Sequence, residues 1–363
     1  MTGSDNTARL RKMMAAYEGP QHSVVGMQLH DGCAQYLMVQ PPLDQPPPAP
    51  LAPEALLFEI GSITKVFTAI LLCHLVEEGM VDPQAPLREI APELAEVPDW
   101  ITAERLSAHT CGLPRIHVPL WKALLRPLPA DRYATFSLAD LLDWLQRWRH
   151  SPACKAPRKL RHGYSNLGVG LLGEALALRT GQPYLALLQD RLLNPLGLTD
   201  TGVTLSADQQ RRFQQPRRPR GKPVLPWTFQ AIAAAGCLRS TAGDLARFAA
   251  AVIKAHRAPE TPLDRAICRA SQPVFGLGPK DHTTPAAQCS GWLQLQLDPA
   301  RPRYLFHDGA TAGSTAALYI CPEAGKACAI LSNNGIAASL WRALKLEGSN
   351  QRRQAAELFA DLH

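Results

Sequence analysis

The 363-residue sequence predicts a mixed α/β (α+β) fold in which both ends of the chain build one antiparallel sheet. Strand-like alternation occurs near both termini, over 23–29, 34–39, 292–297, 304–307, 316–321 and 327–332. Between about residues 80 and 230 the apolar residues recur with helical spacing instead. Strands at both ends with helices between them indicate a sheet domain interrupted by a helical insertion.

The domain boundaries are predicted where the periodicity changes. Residues 1–65 and 230–363 are expected to form a discontinuous sheet domain, and residues 66–229 a mainly helical domain, with the active site at their interface. Terminal helices, one over 1–19 and a pair over 337–346 and 351–362, are expected to flank the sheet.

The first two strands are expected to form a β-hairpin, because Asp31-Gly32 stands between them. A proline-rich stretch over 41–53 predicts a loop that cannot join a sheet. From Gly61 the pattern becomes helical, with an apolar face that ends at Gly79. Further helices are predicted over 138–148, 167–179, 184–193 and 242–255.

Composition indicates a folded chain with a large core. Hydrophobic residues make up 46% of the sequence and charged residues 19%, which argues against extended disorder. The longest apolar stretch, 66–76, is too short to span a membrane and contains His74. The N-terminal residues lack the charged-then-apolar pattern of an export signal, so a cytoplasmic location is expected.

Cysteine and histidine usage predicts neither a metal site nor a cofactor. The 9 cysteines are an odd number and include no C-x-x-C pair, which is typical of reduced thiols that act as small core side chains. The histidines form no H-E-x-x-H pair. We therefore expect chemistry that the side chains carry out by themselves.

A basic segment between Arg211 and Lys222 stands out in a chain with a formal net charge of +7. Pro216 and Pro219 interrupt it, which predicts an exposed loop. The loop could simply be solvated, or it could bind an acidic partner such as a carrier protein. Aromatic residues are limited to Phe213 there, so nucleic acid is not an expected partner.

The strongest chemical motif is Ser62-Ile-Thr-Lys65, at the start of the apolar helix. Residues three apart share a helix face, so the Lys65 side chain can reach Ser62 Oγ. Serine needs a neighbouring base to act as a nucleophile, and a helix N-terminus favours a developing oxyanion. The alternative is a helix cap beside a solvated lysine, which makes the other motifs decisive.

A literal G-x-G-x-x-G, formed by Gly168, Gly170 and Gly173, follows Tyr164. A dinucleotide-binding turn would follow a strand, and no strand–helix–strand unit is predicted here. We interpret these glycines as small residues that allow close helix packing behind Tyr164.

Three further motifs follow Ser62 in order: His109-Thr-Cys-Gly-Leu-Pro114, Tyr164-Ser-Asn166 and His307-Asp-Gly309. Together they resemble the serine β-lactamase-related and penicillin-binding family, in the branch with class C β-lactamases, D-alanyl-D-alanine peptidases and esterases of the same fold. The stretches 193–200, 235–244 and 330–334 are similar to that family as well. The resemblance implies a β-lactamase/transpeptidase-like fold.

The resemblance also implies roles for individual residues. Ser62 would be the acylated nucleophile, Lys65 its activating partner, and Tyr164 a proton relay to the leaving group. Whether Lys65 or Tyr164 is the general base stays open. Asn166 would hydrogen-bond Lys65 or the substrate carbonyl. The backbone N–H groups of Ser62 and Ala310 would form the oxyanion hole.

The third motif, His307-Asp308-Gly309, departs from the Lys-Thr-Gly or Lys-Ser-Gly of members that act on penicillins. Gly309 would still let its strand approach the substrate closely. Asp308 would repel a substrate carboxylate if it faced the site, and His307 resembles the esterase and amidohydrolase members. We therefore expect a serine hydrolase or acyltransferase for an ester, amide or thioester, more esterase- or acyltransferase-like than β-lactamase-like.

Two alternatives remain open from the sequence. One is a D-amino-acid peptidase or β-lactamase-type penicillin-binding enzyme. The other is a non-catalytic binding or scaffold protein that retains the fold, although the intact Ser62, Lys65, Tyr164 and Asn166 argue against it. In either enzyme, the Trp- and Leu-rich segment 120–148 could line an apolar acyl pocket or belong to the core.

Overall fold

The computed structural model describes residues 3–40, 51–118, 133–278, 286–296 and 302–335. Its strands are β1 Val24–His30, β2 Cys33–Val39, β3 Leu57–Glu59, β4 Arg239–Thr241, β5 Pro273–Gly276, β6 Ala287–Cys289, β7 Leu293–Leu295, β8 Tyr304–Ala310, β9 Thr315–Cys321 and β10 Lys326–Ser332. Its helices are α1 Gly3–Ala15, α2 Thr64–Glu77, α3 Leu87–Ile90, α4 Ala103–Ser107, α5 Leu138–Arg149, α6 Asn166–Thr180, α7 Tyr184–Leu188, α8 Ala207–Arg212, α9 Ala242–Arg257 and α10 Pro262–Ala270.

An antiparallel sheet of 8 described strands forms the centre, in the order β2-β1-β10-β9-β8-β7-β6-β5. Because β1 pairs with β10, strands from the beginning and the end of the sequence lie side by side. This confirms the predicted sheet built from both ends of the chain. β3 and β4 form a separate small sheet, which positions the chain just before the Ser62 motif.

Strand alternation gives the two faces of the large sheet different cores. On one face, Met14 of α1 packs in a buried cluster with Phe306 of β8. On the other face, Phe67 of α2 and Phe248 of α9 stack with ring centroids 4.6 Å apart, in the cluster that includes Leu305 of β8. Successive residues of β8 therefore face opposite sides of the sheet.

The predicted hairpin is confirmed, with Asp31 and Gly32 as its two-residue turn between the paired residues His30 and Cys33. Both turn residues have positive φ, 46° and 80° respectively. This is the type I′ geometry that matches the twist of the flanking strands.

The predicted helices over 138–148, 167–179 and 242–255 are confirmed as α5, α6 and α9. The predicted helix over 184–193 begins as α7 and continues as a π-helical turn, Gln189–Leu193. α10 was not predicted from the sequence, although Thr261 and Asp264 form a capping box with Pro262 at the first turn. β5 and β6 were not predicted either, because they are too short to show alternation.

Several predicted segments lie outside the described residues: the C-terminal helical pair, most of the proline-rich loop and residues 120–132. Within the described ranges, no helix combines the length and apolar character needed to cross a membrane. The predicted core role of most cysteines is confirmed by the burial of Cys73, Cys111, Cys237, Cys289, Cys321 and Cys328.

Candidate active site

Ser62 lies in a 3-10 turn, Gly61–Ile63, that leads directly into α2. Thr64 Oγ1 donates a hydrogen bond to Gly61 O at 2.7 Å and so holds the turn closed. Gly61 has a φ of 49°, and a Cβ atom there would lie 2.7 Å from the backbone nitrogen of Ala310. The turn therefore holds Ser62 closely against the end of β8, with no room for a side chain at Gly61.

The Ser62 hydroxyl lies between two polar side chains. Lys65 Nζ is 2.9 Å from Ser62 Oγ and 2.5 Å from the carbonyl oxygen of Ala235. Tyr164 Oη donates to Ser62 Oγ at 2.7 Å. The amine of Lys65 also lies 4.9 Å from the centroid of the Tyr164 ring. Lys65 and Tyr164, which the sequence predicts to act on Ser62, thus both contact Ser62 Oγ.

Burial determines the protonation of these groups. The Lys65 side chain is 1% exposed, and burial, with the nearby charge of Arg115, lowers the pKa of its amine well below 10.5. Burial also raises the pKa of Tyr164 above its usual value, although its hydrogen bond to Ser62 opposes the shift. A neutral amine has a lone pair that can accept the serine proton, whereas a protonated phenol can donate one.

β8 offers an open backbone edge beside Ser62. β7 pairs with β8 only as far as Phe306, so no described strand covers the following residues on that side. A Cβ atom at Gly309 would collide with the carbonyl oxygen of Ile60 and lie 3.0 Å from Ser62 N. The backbone segments that carry the two predicted oxyanion donors, Ser62 and Ala310, therefore adjoin each other.

His307 and Asp308 lie on opposite faces of β8. His307 is 4% exposed and shares its face with Leu305 of the α2 core, whereas Asp308 is exposed on the face of Phe306 and α1. Burial lowers the pKa of His307 to about 4, despite the nearby Asp308, so its imidazole is neutral near pH 7. The premise that Asp308 faces the site, and so repels a substrate carboxylate, does not hold in the structure.

Asn166 opens α6 but does not reach Lys65. Its Nδ2 atom donates to Tyr133 Oη at 3.2 Å, and its buried Oδ1 has no hydrogen-bond partner among the described residues. Lys65 uses the backbone carbonyl of Ala235 in place of the Asn166 amide. The resemblance implies a hydrogen bond from Asn166 either to Lys65 or to the substrate carbonyl. Because the structure shows no bond to Lys65, the contact with the substrate carbonyl is the one that stays a prediction.

The glycine-rich stretch on α6 supports the Ala235 carbonyl. A Cβ atom at Gly170 would lie 3.0 Å from Ala231 O, and one at Gly173 would collide with Ala234. This confirms that the glycines serve helix packing. Thr68, one turn after Lys65, donates to Ala234 O at 2.7 Å, so α2 and α6 together hold the turn that bonds Lys65.

His109 braces the segment that carries Tyr164. Its Nδ1 atom accepts a hydrogen bond from Ser165 N at 3.3 Å, and its ring centroid lies 4.5 Å from that of Tyr164. His109 is buried with a φ of 57°, an uncommon conformation for a residue other than glycine. Its contacts with Ser165 and Tyr164 therefore stabilise the segment that carries Tyr164.

Three residues to which the sequence motifs assign no role also belong to the site: Arg115, Tyr133 and Ala235. Arg115 directly follows the His109–Pro114 motif, and this position was the only sequence indication of its place. Its guanidinium carbon lies 5.0 Å from the Tyr164 ring centroid. Tyr133 stacks on Phe229 with centroids 5.1 Å apart, which makes an aromatic wall beside Asn166. Ala235 acts through its backbone, which no side-chain motif reveals.

The basic segment between Arg211 and Lys222 is less free than its charge indicates. Arg212 is paired with Asp200 and Asp208, and Arg211 also contacts Asp208. Arg217 donates to Gly221 O within the loop. The exposed remainder is Arg218, Arg220 and Lys222.

A serine at a helix start, with a buried lysine and a tyrosine on its hydroxyl and an open strand edge beside it, defines a serine acyl-transfer site. The sequence profile described as "Beta-lactamase" matches residues 44–343. The chain belongs to this beta-lactamase family, whose matched members are serine hydrolases of the β-lactamase and D-alanyl-D-alanine-carboxypeptidase type.

Individual relatives support this assignment. The D-alanyl-D-alanine-carboxypeptidase/endopeptidase AmpH of Escherichia coli K12 is 34% identical over 199 residues, which cover 52% of this chain and 47% of AmpH. The chain thus spans about half the length of that relative. Penicillin-binding protein 4 of Amycolatopsis lactamdurans is 28% identical over 327 residues, or 84% of this chain and 79% of the relative.

Solved structures show the same fold. The class C beta-lactamase of Rhodobacter sphaeroides superposes with a TM-score of 0.75 at 20% identity, covering 99% of both chains. The beta-lactamase/D-alanine carboxypeptidase of Pseudomonas syringae also gives 0.75, at 21% identity and 99% coverage of both chains. The expected β-lactamase/transpeptidase-like fold is therefore confirmed.

Proposed function

We propose that the protein is a serine hydrolase that forms an acyl-enzyme at Ser62 on D-alanyl peptides or β-lactams. The observation that carries this proposal is the contact of one serine oxygen with both a buried lysine and a protonated tyrosine. Similarity to AmpH, a D-alanyl-D-alanine-carboxypeptidase/endopeptidase, and to penicillin-binding protein 4 favours these amide substrates. The outward position of Asp308 removes the main sequence argument against them.

In the proposed mechanism, Ser62 Oγ attacks the substrate carbonyl while its proton passes to neutral Lys65. The oxyanion is bound by the backbone N–H groups of Ser62 and Ala310. Tyr164 donates its proton to the leaving group and regains one from Lys65. Water, activated by the same pair, then releases the acyl group, and this returns the proton to Ser62.

An esterase or acyltransferase is the second candidate, favoured by His307. A neutral imidazole gives β8 no cation with which to hold a substrate carboxylate, as the lysine of the usual third motif would. Hydrolysis and acyl transfer share the acyl-enzyme, so the acceptor that the site admits would separate them.

The proposed site also agrees with the proposed domain boundaries. Ser62 and His307 belong to the discontinuous segment 1–65 and 230–363, and Tyr164 belongs to segment 66–229. A site that joins these residues would lie at the interface of the two domains. The cytoplasmic location and an acidic partner at Arg218, Arg220 and Lys222 also stay proposals. The first is supported by cysteines that form no disulfide.

The test is intact mass after exposure to a penicillin and, separately, to an activated acyl ester, with Ser62→Ala as the matched control. We expect an acyl adduct on the wild-type protein from the penicillin, and none on Ser62→Ala. Labelling by the ester alone would favour the esterase or acyltransferase instead. Adducts that persist in Ser62→Ala would contradict the assignment of the nucleophile, and no adduct from either reagent would favour the non-catalytic protein.

The pH dependence of kcat/KM provides a further prediction. Activity on a neutral substrate is expected to rise as Lys65 loses its proton, at a pH well below 10.5, because the neutral amine is the base. Activity should then stay level through pH 10, because the pKa of Tyr164 is raised above 10.0 and the phenol keeps its proton. A rise centred near pH 10.5, as for an ordinary lysine, would contradict the role of Lys65.

A further inference from the structure

Arg115 presents a cation beside the catalytic tyrosine. It is exposed, and its guanidinium carbon lies 5.0 Å from the centroid of the Tyr164 ring, which also has Lys65 Nζ at 4.9 Å. Its main chain is held in place, since Arg115 O accepts the backbone N–H of Asn166 at 3.0 Å. The guanidinium and the amine that contacts Ser62 therefore lie against the same aromatic ring.

The charge of Arg115 is not neutralised by the described part of the chain. No described carboxylate lies within ion-pair distance of it, in contrast to Arg212 and Arg265, which pair with Asp200 and Glu77. Its positive charge lowers the pKa of Lys65 and of His109, so its field reaches the site. A permanent cation that lies beside Lys65 and Tyr164, and that no described carboxylate pairs with, can bind an anion.

We propose that Arg115 binds a carboxylate of the substrate and so selects anionic substrates for Ser62, an inference that rests on the proposed function. A guanidinium offers a planar fork of N–H donors that fits a carboxylate with two hydrogen bonds. Contact with the Tyr164 ring holds this fork in one orientation. Arg115, beside Tyr164, thereby supplies the positive charge that the neutral His307 of β8 does not provide.

The test compares two pairs of activated thioesters, each with one anionic and one neutral member. In the first pair a carboxylate is replaced by a carboxamide on the acyl portion, and in the second on the leaving group. The measured quantity is the ratio of kcat/KM for the anionic over the neutral member. Arg115→Gln removes the positive charge, and Arg115→Lys keeps the charge without the planar guanidinium. Arg265→Gln is the matched control, because it removes an arginine that pairs with Glu77.

For at least one pair, we expect wild-type protein to prefer the carboxylate and Arg115→Gln to lower the ratio about tenfold or more, as a charge-assisted hydrogen bond predicts. Arg115→Lys should restore part of the preference, and Arg265→Gln should retain all of it. If neither ratio depends on Arg115, the inference is wrong even though Ser62 reacts.

Equilibrium binding separates this inference from the proposed function. The same pairs are titrated calorimetrically into Ser62→Ala protein, with and without Arg115→Gln. Stronger binding of one carboxylate, lost with Arg115, supports the anion site whether or not Ser62 forms an acyl-enzyme. Equal binding of anionic and neutral members to Ser62→Ala contradicts it.

Discussion

Replacement of Lys65 by arginine is expected to lower kcat/KM by about 1,000-fold, within the range that a general base contributes. Arginine has the length to reach Ser62 Oγ but cannot lose its proton in a protein, so it can donate to the serine and never accept from it. The structure sharpens this comparison, because the amine of Lys65 is buried and its pKa is lowered well below the usual value. The variant therefore keeps a hydrogen-bond donor beside Ser62 but replaces the base with a permanent cation.

Two controls make the Lys65 result specific. Lys65→Met removes the base without adding a charge and should lose as much activity as Lys65→Arg. Lys254→Arg changes an exposed lysine of α9 and should leave kcat/KM within twofold of wild type. Thermal unfolding of each variant verifies that it is folded. If folded Lys65→Arg retained activity within tenfold of wild type, Tyr164 would become the better candidate for the base.

Gly309→Ala is expected to reduce acylation of Ser62 by two or more orders of magnitude and to destabilise the fold by about 1–3 kcal/mol, as overpacking does. The added Cβ atom would collide with Ile60 O and crowd Ser62 N at 3.0 Å. The strand would have to move away from the turn that holds the nucleophile. Because both proposed oxyanion donors adjoin this contact, we expect a small separation to disrupt the geometry on which transition-state binding depends.

The matched control is Gly276→Ala, at the end of β5 in the same sheet, where an added Cβ atom would meet nothing within 4 Å. That variant should keep wild-type activity and stability. The rate of adduct formation measures the effect on the site, and chemical denaturation measures the effect on the fold. Rapid acylation in Gly309→Ala would show that β8 does not need this close approach.

The contact between Ser62 and Lys65 was predictable because it depends on local spacing. Lys65 follows Ser62 by one helical turn, so one segment of chain brings both together whatever the rest of the fold does. Tyr164 became predictable only through the resemblance, because no local rule relates residues that are about 100 positions apart. The strand-like alternation of β8 was visible in the sequence as well. The sequence did not show which of the two faces of β8 would contact Ser62.

Other parts of the site could not be predicted from single residues. The partner of Lys65 is a backbone carbonyl at Ala235, and any residue type provides one. The partner of Asn166 is Tyr133, whose distance from it depends on the packing of a loop and an aromatic cluster. The sequence does not distinguish Arg115 from other arginines, because its position over the Tyr164 ring joins segments that are distant in sequence. Tertiary packing decides these contacts.

The antiparallel pairing of β8 with β9 also determines which side chain of β8, and so which charge, faces Ser62. Residues from Leu305 to Ala310 are matched one to one with residues from Ile320 to Thr315, and this ladder sets the register of the strand. A slip by a single residue would turn the carboxylate of Asp308 inward and the imidazole of His307 outward. The wall that faces the nucleophile would then change from neutral to negative, without any change in sequence.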